Sequence, residues 1–321
     1  LSRVAVVGKF CQRNHSHELK AGEILTAAMP GAHIELGHRV SGQLNFPRRA
    51  ATTMLTAATK DSYEKFAADV ARALKQRKIE APVYILKADG GTLPLDKSVS
   101  MPVETIFSGP AASIMGVLAL TDPGKTSVVV DIGGTTTDLA LILSGRPLLS
   151  AKGARVDSMF THVRAFAVKS VAIGRDSAVC VSSGAISVGP HRDGPPCCMG
   201  GKGPTPTDAL RVLGLSDIGD LSKAEQAMNM VASGLGCTAK QAAQKVVDAV
   251  VDKIVSEVHE MFREWEAEPA YRIWEIMQKE KLSAQSVVGV GGGAPPLVPL
   301  VAAQLGAEAV VPQYAPVANA I

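Results

Sequence analysis

Residues 131–138, DIGGTTTD, combine residue types that suit phosphate chemistry between two runs of aliphatic residues. Glycine lacks a Cβ, so the backbone there can adopt unusual φ values and approach a ligand closely. The glycine N–H groups and the threonine hydroxyls form a row of donors suited to phosphate oxygens. The residues predicted to bind phosphate are therefore Gly133, Gly134, Thr135, Thr136 and Thr137.

The two aspartates of this motif are the candidates for binding a metal ion. Asp131 ends its predicted strand, where a carboxylate can hold Mg²⁺ through water or position a hydrolytic water. We therefore predict Asp131 as a catalytic residue and metal ligand. Asp138 is predicted either to orient the turn or to act as a second hard ligand. The alternative is a plain hairpin, whose glycines satisfy the turn and whose threonines merely suit strands.

A second glycine-rich loop, VGVGGGAPP, lies at residues 288–296, between a strand-like run and a helix. Such a junction can pass the backbone over a nucleotide and point N–H groups at a phosphate. A loop that is rich in glycine only for packing is the alternative. The spacing does not fit a dinucleotide site, because G-x-G-x-x-G with a downstream acidic residue is missing. The residues predicted to bind the nucleotide here are Gly291, Gly292, Gly293 and Ala294.

The elements that must position these loops are predicted from hydrophobic spacing, and they alternate as in α/β proteins. The predicted strands are VAVVGKF (4–10), HIELGHRV (33–40), PVYILKADGG (82–91), VVVDI (128–132), TDLALIL (137–143), RPLLSAKG (146–153) and SVVGV (286–290). The predicted helices span 17–29, 108–120, 221–236, 238–265 and 297–306, with one long helix or two over 48–78. The stretch 189–214, rich in glycine and proline, is predicted as a long ordered loop or a linker.

Composition excludes several functional classes. Of the 321 residues, 46% are hydrophobic and 20% charged, which is ordinary for a globular protein. The net charge is only +3, and the basic residues are scattered along the chain, so nucleic-acid binding is not indicated. No apolar run reaches the roughly 18 residues of a membrane span, and we expect a soluble, cytoplasmic protein with no membrane partner. Because the chain begins with Leu1 rather than Met and enters a strand-like run within three residues, we expect an internal piece of a longer protein.

Two further groups of polar residues could do chemistry. Cys197 and Cys198 lie in the loop rich in glycine and proline, without an obvious activating base, so structural thiols are favoured over a nucleophile. His15 and His17, beside Glu18, have a spacing that could bind metal, but an exposed cluster at a helix start is favoured. Five cysteines without C-x-x-C spacing indicate neither a disulfide framework nor a zinc site.

The order of a Ser-Gly-Pro helix, an acidic Gly-Gly-Thr hairpin and a Gly-Gly-Gly-Ala loop resembles the actin and sugar-kinase type of ATPase. More specifically, the chain resembles the hydantoinase A/5-oxoprolinase family, which includes acetone carboxylase subunits. The stretches that carry the resemblance are ETIFSGPAASIMGV (104–117), VVVDIGGTTTDLALI (128–142), ISVGP (186–190), GPTPTDALRVLG (203–214) and VGVGGGAPPLVPLVAAQLG (288–306). It implies an α/β fold of the actin-like ATPase (ribonuclease H-like) type, with mixed sheets flanked by helices, incomplete at both ends. Residues 1–121 would be the remainder of a first lobe, with the Ser-Gly-Pro helix, and 122–321 a second lobe.

The resemblance also implies a function. Such enzymes use ATP to phosphorylate the oxygen of a cyclic amide, a hydantoin or 5-oxoproline, which makes the carbonyl carbon electrophilic towards water. The implied cofactors are ATP and Mg²⁺, and the implied partners are a small cyclic amide and either a second copy or a hydantoinase B-type subunit. Asp131, Gly133, Gly134 and residues 135–137 match the family's second phosphate loop, and residues 291–294 match its adenosine loop.

Two departures from the family's pattern matter for activity. A further Asp-x-Gly-Gly-Thr-x-Thr-Asp hairpin, the family's first phosphate loop, does not occur in these 321 residues, so we expect them to be inactive alone. Where many relatives have a glycine-rich stretch, this chain has VAIGRDSAV (171–179), in which Gly174, Asp176 and Ser177 replace a more flexible loop. The alternative function is a non-catalytic nucleotide-binding or regulatory module of the same fold. A sugar or acetate kinase is a third option, which the Ser-Gly-Pro-Ala-Ala and GPTPTD segments disfavour.

Overall fold

The computed structural model describes residues 2–121, 124–266 and 283–320. In chain order the strands are β1 (Arg3–Val6), β2 (His33–Leu36), β3 (Tyr84–Leu86), β4 (Thr92–Pro94), β5 (Ser127–Ile132), β6 (Thr137–Leu143), β7 (Arg146–Pro147), β8 (Arg155–Val156), β9 (Met159–Phe160), β10 (Val168–Val171), β11 (Val179–Ser182), β12 (Ala185–Val188), β13 (Ser286–Val290) and β14 (Glu308–Val310). The α-helices are α1 (Ser16–Ala28), α2 (Gly37–Val40), α3 (Phe46–Gln76), α4 (Leu95–Ser98), α5 (Ser108–Leu120), α6 (Pro206–Val212), α7 (Leu221–Leu235), α8 (Ala239–Glu266) and α9 (Ala294–Leu305). Short 3-10 helices lie at Pro102–Thr105, Cys197–Met199 and Ala315–Ala320.

The chain divides into two compact units. The first comprises residues 1–112 and 149–167, and the second comprises residues 113–148 and 168–321. Each unit is therefore built from two segments of the chain. The predicted division into domains between residues 121 and 122 stays a prediction.

The first unit is organised around α3, which is a single helix of 31 residues. The side chain of Asn45 accepts a hydrogen bond from the Arg48 N–H at the helix start, where Pro47 occupies the first turn. Within this helix the hydroxyls of Thr52 and Thr56 donate to carbonyls one turn earlier, which lets them be buried. Strands β1 and β2 pair in parallel, and β2 is shorter than predicted because residues 37–40 turn into α2.

The second unit contains a mixed sheet with the strand order β10-β6-β5-β13-β14, and β7 pairs with β6. Strands β5 and β6 are antiparallel, whereas β13 runs parallel to both β5 and β14. Helix α8 buries a stripe of apolar side chains in the same core as the sheet. Its buried members are Val246, Val247, Val250, Ile254 and Val258. Because β5 and β13 are parallel neighbours, the two predicted glycine loops lie at the same end of the sheet.

Two sequence predictions about this region are wrong. The run RPLLSAKG forms only the short strand β7, after which Leu149 makes an isolated bridge to Phe166. The stretch predicted as a loop or linker contains α6, which begins with a reciprocal capping box between Thr205 and Asp208. A threonine followed three residues later by an acidic residue is a local signal for a helix start, and here it outweighed the surrounding glycines and prolines.

Among residues 2–121, 124–266 and 283–320, no helix combines the length and the apolar character that crossing a membrane requires.

Candidate functional site

The DIGGTTTD motif is a hairpin between β5 and β6. Asp131 pairs with Asp138 and Ile132 pairs with Thr137, so residues 133–136 form the turn. The hydroxyl of the buried Thr137 donates to the Ile173 carbonyl at 2.7 Å. Thr137 therefore connects the base of the hairpin to the segment that follows β10.

The tip of the hairpin leaves backbone donors open. The Gly133 N–H is used within the turn, where it donates to the Thr136 carbonyl at 3.0 Å. In the described part of the chain, nothing accepts a hydrogen bond from the N–H groups of Gly134, Thr135 and Thr136. The side chains of Thr135 and Thr136 are exposed. The turn thus presents amides and hydroxyls that an anion could bind.

Asp131 and Asp138 lie directly opposite each other on antiparallel strands, so their side chains share one face of the sheet. The hydroxyl of Ser113, a buried residue of α5, donates to Asp131 Oδ2 at 2.5 Å. Burial raises the pKa of Asp138 above its ordinary value, a hydrogen bond with Ser170 opposes this shift, and the charge of Asp131 adds to it. The two carboxylates therefore repel each other, and a cation would relieve that repulsion.

This pair fits one mode of Mg²⁺ binding. Within the described residues, no three histidine, cysteine, aspartate or glutamate side chains are grouped so that they could hold a metal ion. However, Mg²⁺ is usually held by one or two carboxylates together with substrate phosphates, rather than by a cage of protein ligands. Asp131 and Asp138 meet that lesser requirement.

The second glycine loop lies beside the hairpin because β13 is parallel to β5, with Val290 opposite Asp131. The Gly293 N–H donates to the Ile132 carbonyl at 3.0 Å. Gly291 has a φ of +81°, and a Cβ there would lie 2.5 Å from Asp131 Oδ1. Only glycine fits this position, because both the backbone conformation and the space forbid a side chain. The two predicted motifs are thus in direct contact.

Gly292 is different from its neighbours. It is exposed, its φ lies outside the left-handed region, and its N–H has no acceptor among the described residues. A Cβ on Gly292 would meet the Arg175 guanidinium, with Nη1 at 2.9 Å. Ala294, two residues further on, is buried and begins α9.

A third segment, residues 174–177, completes the site. The Arg175 N–H donates to the Gly133 carbonyl at 3.0 Å, and the Asp176 N–H donates to the Gly134 carbonyl at 2.8 Å. The Arg175 side chain reaches further and donates through Nη1 to the Gly292 carbonyl at 3.2 Å. This arginine therefore bridges the hairpin and the second glycine loop.

The two loops are predictable from the sequence, but Ser113 and Arg175, which contact them, are not among the predicted site residues. Ser113 lies in the predicted helix 108–120, and Arg175 lies in the stretch 171–179, which departs from the family's glycine-rich pattern. The positive charge of Arg175 within that stretch is the feature of the sequence that could have indicated its role. The contact of Ser113 with Asp131 had no signal in the sequence, because it depends on how α5 packs.

The two adjacent cysteines do not form a reactive centre. Cys197 and Cys198 are buried, and their N–H groups donate to the Asp208 carboxylate at 3.2 and 2.7 Å. Burial, together with the nearby charge of Asp208, raises the pKa of Cys198 to about 12 and also raises that of Cys197. Because the thiolate is the nucleophilic form, these thiols are structural.

The histidines near α1 do not gather around a metal site either. His15 and His17 are exposed, as expected, but Glu18 is 2% exposed. Its carboxylate accepts hydrogen bonds from the Gly8 and His38 N–H groups at 2.6 and 2.8 Å. The expectation of an exposed cluster is thus wrong for Glu18, because two backbone donors offset the cost of burying its charge.

Comparison with known proteins places these features in a family. The family model described as hydantoinase/oxoprolinase matches residues 49–321. The caprolactamase subunit alpha of Pseudomonas jessenii is 27% identical over 330 residues, which cover 96% of this chain and 45% of that protein. The chain therefore spans about half the length of this curated relative.

Two solved structures share the fold. The nucleotide-free structure of acetone carboxylase has a TM-score of 0.80 at 21% identity, covering 99% of this chain and 46% of that one. The ATP-dependent caprolactamase from Pseudomonas jessenii has a TM-score of 0.76 at 24% identity, covering 100% of this chain and 47% of that one. The predicted mixed α/β fold, with a mixed sheet flanked by helices, is confirmed, and the assignment to the actin-like ATPase type stays a prediction.

Proposed function

The chain belongs to the hydantoinase/oxoprolinase family, and on this premise we propose that it forms the nucleotide-binding part of an enzyme that uses ATP to open a cyclic amide. The observation that carries the proposal is the contact between the hairpin and the second glycine loop. Open amides at Gly134, Thr135 and Thr136 lie on one loop, and the open amide of Gly292 lies on the other. Open backbone donors on two loops that contact each other suit the oxygens of a triphosphate.

We propose distinct roles for the predicted site residues. Gly134, Thr135 and Thr136 bind phosphate, while Gly133 and Thr137 hold the hairpin in shape, because their donors are already occupied. In the second loop, Gly292 lies against the nucleotide. Its flanking residues Gly291, Gly293 and Ala294 allow the close approach to β5 and start α9.

Asp131 and Asp138 are the residues that would hold Mg²⁺. The ion, when bound, supplies positive charge to the phosphate oxygens. Asp131 is also the proposed catalytic residue, since it stands at the strand end beside both loops. The bond from Ser113 fixes the orientation of its carboxylate.

In the proposed reaction, the terminal phosphoryl group moves from ATP to the amide oxygen, and ADP leaves. Water then adds to the activated carbonyl carbon, and the ring nitrogen departs with a proton. The resulting acyl phosphate reacts with a second water to give a carboxylate and inorganic phosphate. Because phosphoryl transfer is mainly positioning and charge stabilisation, the task of this chain is to hold and orient the nucleotide.

The substrate and the partner follow from relatives and are proposed at the level of class. A hydantoin, 5-oxoproline or another lactam is the proposed substrate, since one relative is named a caprolactamase. That relative is named a subunit alpha, which supports assembly with a second, hydantoinase B-type subunit. A non-catalytic regulatory module of the same fold is the second candidate function.

Replacement of Asp131 tests the proposal. In the full-length protein, Asp131→Asn keeps an acceptor for Ser113 but removes the charge, and we expect Mg-dependent ATP turnover to fall on the order of 100-fold or more. Turnover should be assayed with hydantoin, 5-oxoproline and caprolactam, and the fold checked by circular dichroism. Asp217→Asn is the control, because Asp217 is fully exposed in a surface loop.

Unchanged turnover in Asp131→Asn would remove the catalytic and metal-binding roles of Asp131. A wild-type protein that binds ATP but hydrolyses it with none of the amides would favour the regulatory module.

A further inference from the structure

Arg175 and Arg192 place two positive charges beside the two loops. The position that a Cβ would take on Gly134 lies 2.8 Å from Asp176 Oδ2 and 3.1 Å from Arg192 Nη1, and that on Gly292 lies 2.9 Å from Arg175 Nη1. Each guanidinium is therefore next to a residue whose N–H is open. The side chains are partly exposed, at 31% for Arg175 and 42% for Arg192, so a ligand in solution can reach them.

One buried carboxylate lies between these two arginines. Asp176 is 5% exposed, pairs with Arg192 at 2.9 Å and lies 3.8 Å from Arg175 Nε. Asp176 Oδ1, the oxygen that faces Arg175, accepts a hydrogen bond from the Thr207 hydroxyl at 2.9 Å. In the described part of the chain, Asp176 is the sole ion-pair partner of either guanidinium, so the group carries a net charge of +1 from two arginines and one aspartate.

Arg175 also has donors to spare. A guanidinium carries five N–H groups in a planar fork that matches phosphate geometry. One nitrogen donates to the Gly292 carbonyl, and Nε faces Asp176. The backbone of Arg175 is fixed by its bond to Gly133, so the side chain starts from a defined place at the junction of the loops.

We infer that Arg175 is a phosphate-binding residue for a nucleoside triphosphate, and that Asp176 and Arg192 position it. The inference rests on the proposed function, since it concerns the same site. It assigns a charged clamp to the stretch where this chain departs from its family's glycine-rich pattern. If Arg175 only held the two loops together, its replacement would lower the affinity for every ligand of the site equally.

Titration calorimetry on the full-length protein separates these two roles. In Arg175→Gln, we expect affinity for Mg-ATP to fall about 10- to 100-fold, as for the loss of a hydrogen bond to a charged group. Affinity for adenosine should stay within about twofold, because adenosine has no phosphate. Arg175→Lys should lose less affinity for Mg-ATP, since it keeps the charge but not the fork.

Two further variants sharpen the test. Arg146→Gln removes one positive charge from an exposed strand residue of the same unit and should leave affinity for Mg-ATP unchanged. Arg192→Gln should reduce affinity for Mg-ATP, less than Arg175→Gln does, and it replaces Arg175→Gln if that variant does not fold.

Unchanged affinity of Arg175→Gln for Mg-ATP would overturn the inference, and so would equal losses for Mg-ATP and adenosine. An equal loss in Arg146→Gln would also overturn it, because the effect would then be one of overall charge. If the wild-type protein bound no Mg-ATP, both the inference and the proposed function would fall. If the wild type bound and the variants matched it, only the inference would fall.

Discussion

At the residue scale, the adjacent glycines Gly291 and Gly292 of the second loop have different roles. Gly291 needs to be glycine for the fold, since its φ is +81° and a Cβ would strike Asp131 and the Ile132 carbonyl. Gly292 has neither restriction, because the nearest obstacle to a Cβ is the end of the flexible Arg175 side chain. Both residues are predicted as ligand contacts from the sequence. The glycine pattern does not distinguish their roles, because φ and the neighbouring atoms are set by the packing of β13 against β5.

Gly292→Val should therefore weaken nucleotide binding far more than it weakens folding. We expect a melting temperature close to the wild-type value and a loss of Mg-ATP affinity of about tenfold or more, because the new side chain occupies the path of the ligand. Both quantities should be measured on the same sample of the full-length protein. Gly291→Val is the matched control and should cost on the order of 1–3 kcal/mol of stability, since a β-branched residue is strained at positive φ.

The opposite pattern, a large fall in melting temperature with wild-type affinity in Gly292→Val, would remove the nucleotide role from this loop. The double variant Gly292→Val with Arg175→Gln then distinguishes two causes of lost affinity. Losses that do not add would mean that the valine acts by displacing Arg175.

At the scale of elements, local patterns are enough to predict the hairpin β5–β6, the helices α1, α5, α7 and α8, and the succession of β13, the second glycine loop and α9. Each of these carries its periodicity and its turn residues within a short stretch. The predicted strand over 146–153 and the predicted loop over 189–214 are wrong. The chain after β7 pairs instead with the distant Phe166, and the capping box at Thr205 starts a helix despite the surrounding glycines and prolines. The burial of Glu18 belongs to the same class, since its partners Gly8 and His38 lie on other segments.

Glu18 supplies a test of how α1 is held. Burial alone would raise the pKa of Glu18, but hydrogen bonds with the Gly8 and His38 N–H groups, the His38 imidazole and the Cys11 side chain together hold the pKa below the ordinary value of 4.5. The stabilisation is therefore fully present above pH 4.5 and is lost as the pH falls through the lowered folded-state pKa. We expect Glu18→Gln to reduce the free energy of unfolding by about 1–3 kcal/mol at pH 7.

Urea unfolding of wild type and Glu18→Gln from pH 7 down to pH 3 measures this effect, and the difference should shrink in acid. Glu23→Gln, an exposed change on the same helix, is the control and should differ little from wild type at any pH. A difference that stays constant down to pH 3 would contradict the role of the Glu18 charge.

At the scale of the whole molecule, the fold class and the family were predictable because the motifs lie in a characteristic order along the chain. The activity is a different matter, since the chain spans about half the length of its relatives. The family resemblance implies a first phosphate hairpin that these 321 residues do not contain. We therefore expect the 321-residue chain alone to hydrolyse no cyclic amide and to bind nucleotide weakly, because one phosphate loop cannot enclose a triphosphate.

Calorimetric titration of Mg-ATP into the 321-residue chain and into the full-length protein tests the central claim, that these loops form a nucleotide site, most directly. We predict one bound Mg-ATP per full-length chain and at least about tenfold weaker binding by the 321 residues alone. Asp131→Asn in the full-length protein should weaken the Mg-dependent part of that affinity. Absence of binding by the full-length protein, or full affinity in Asp131→Asn with and without Mg²⁺, would contradict the account.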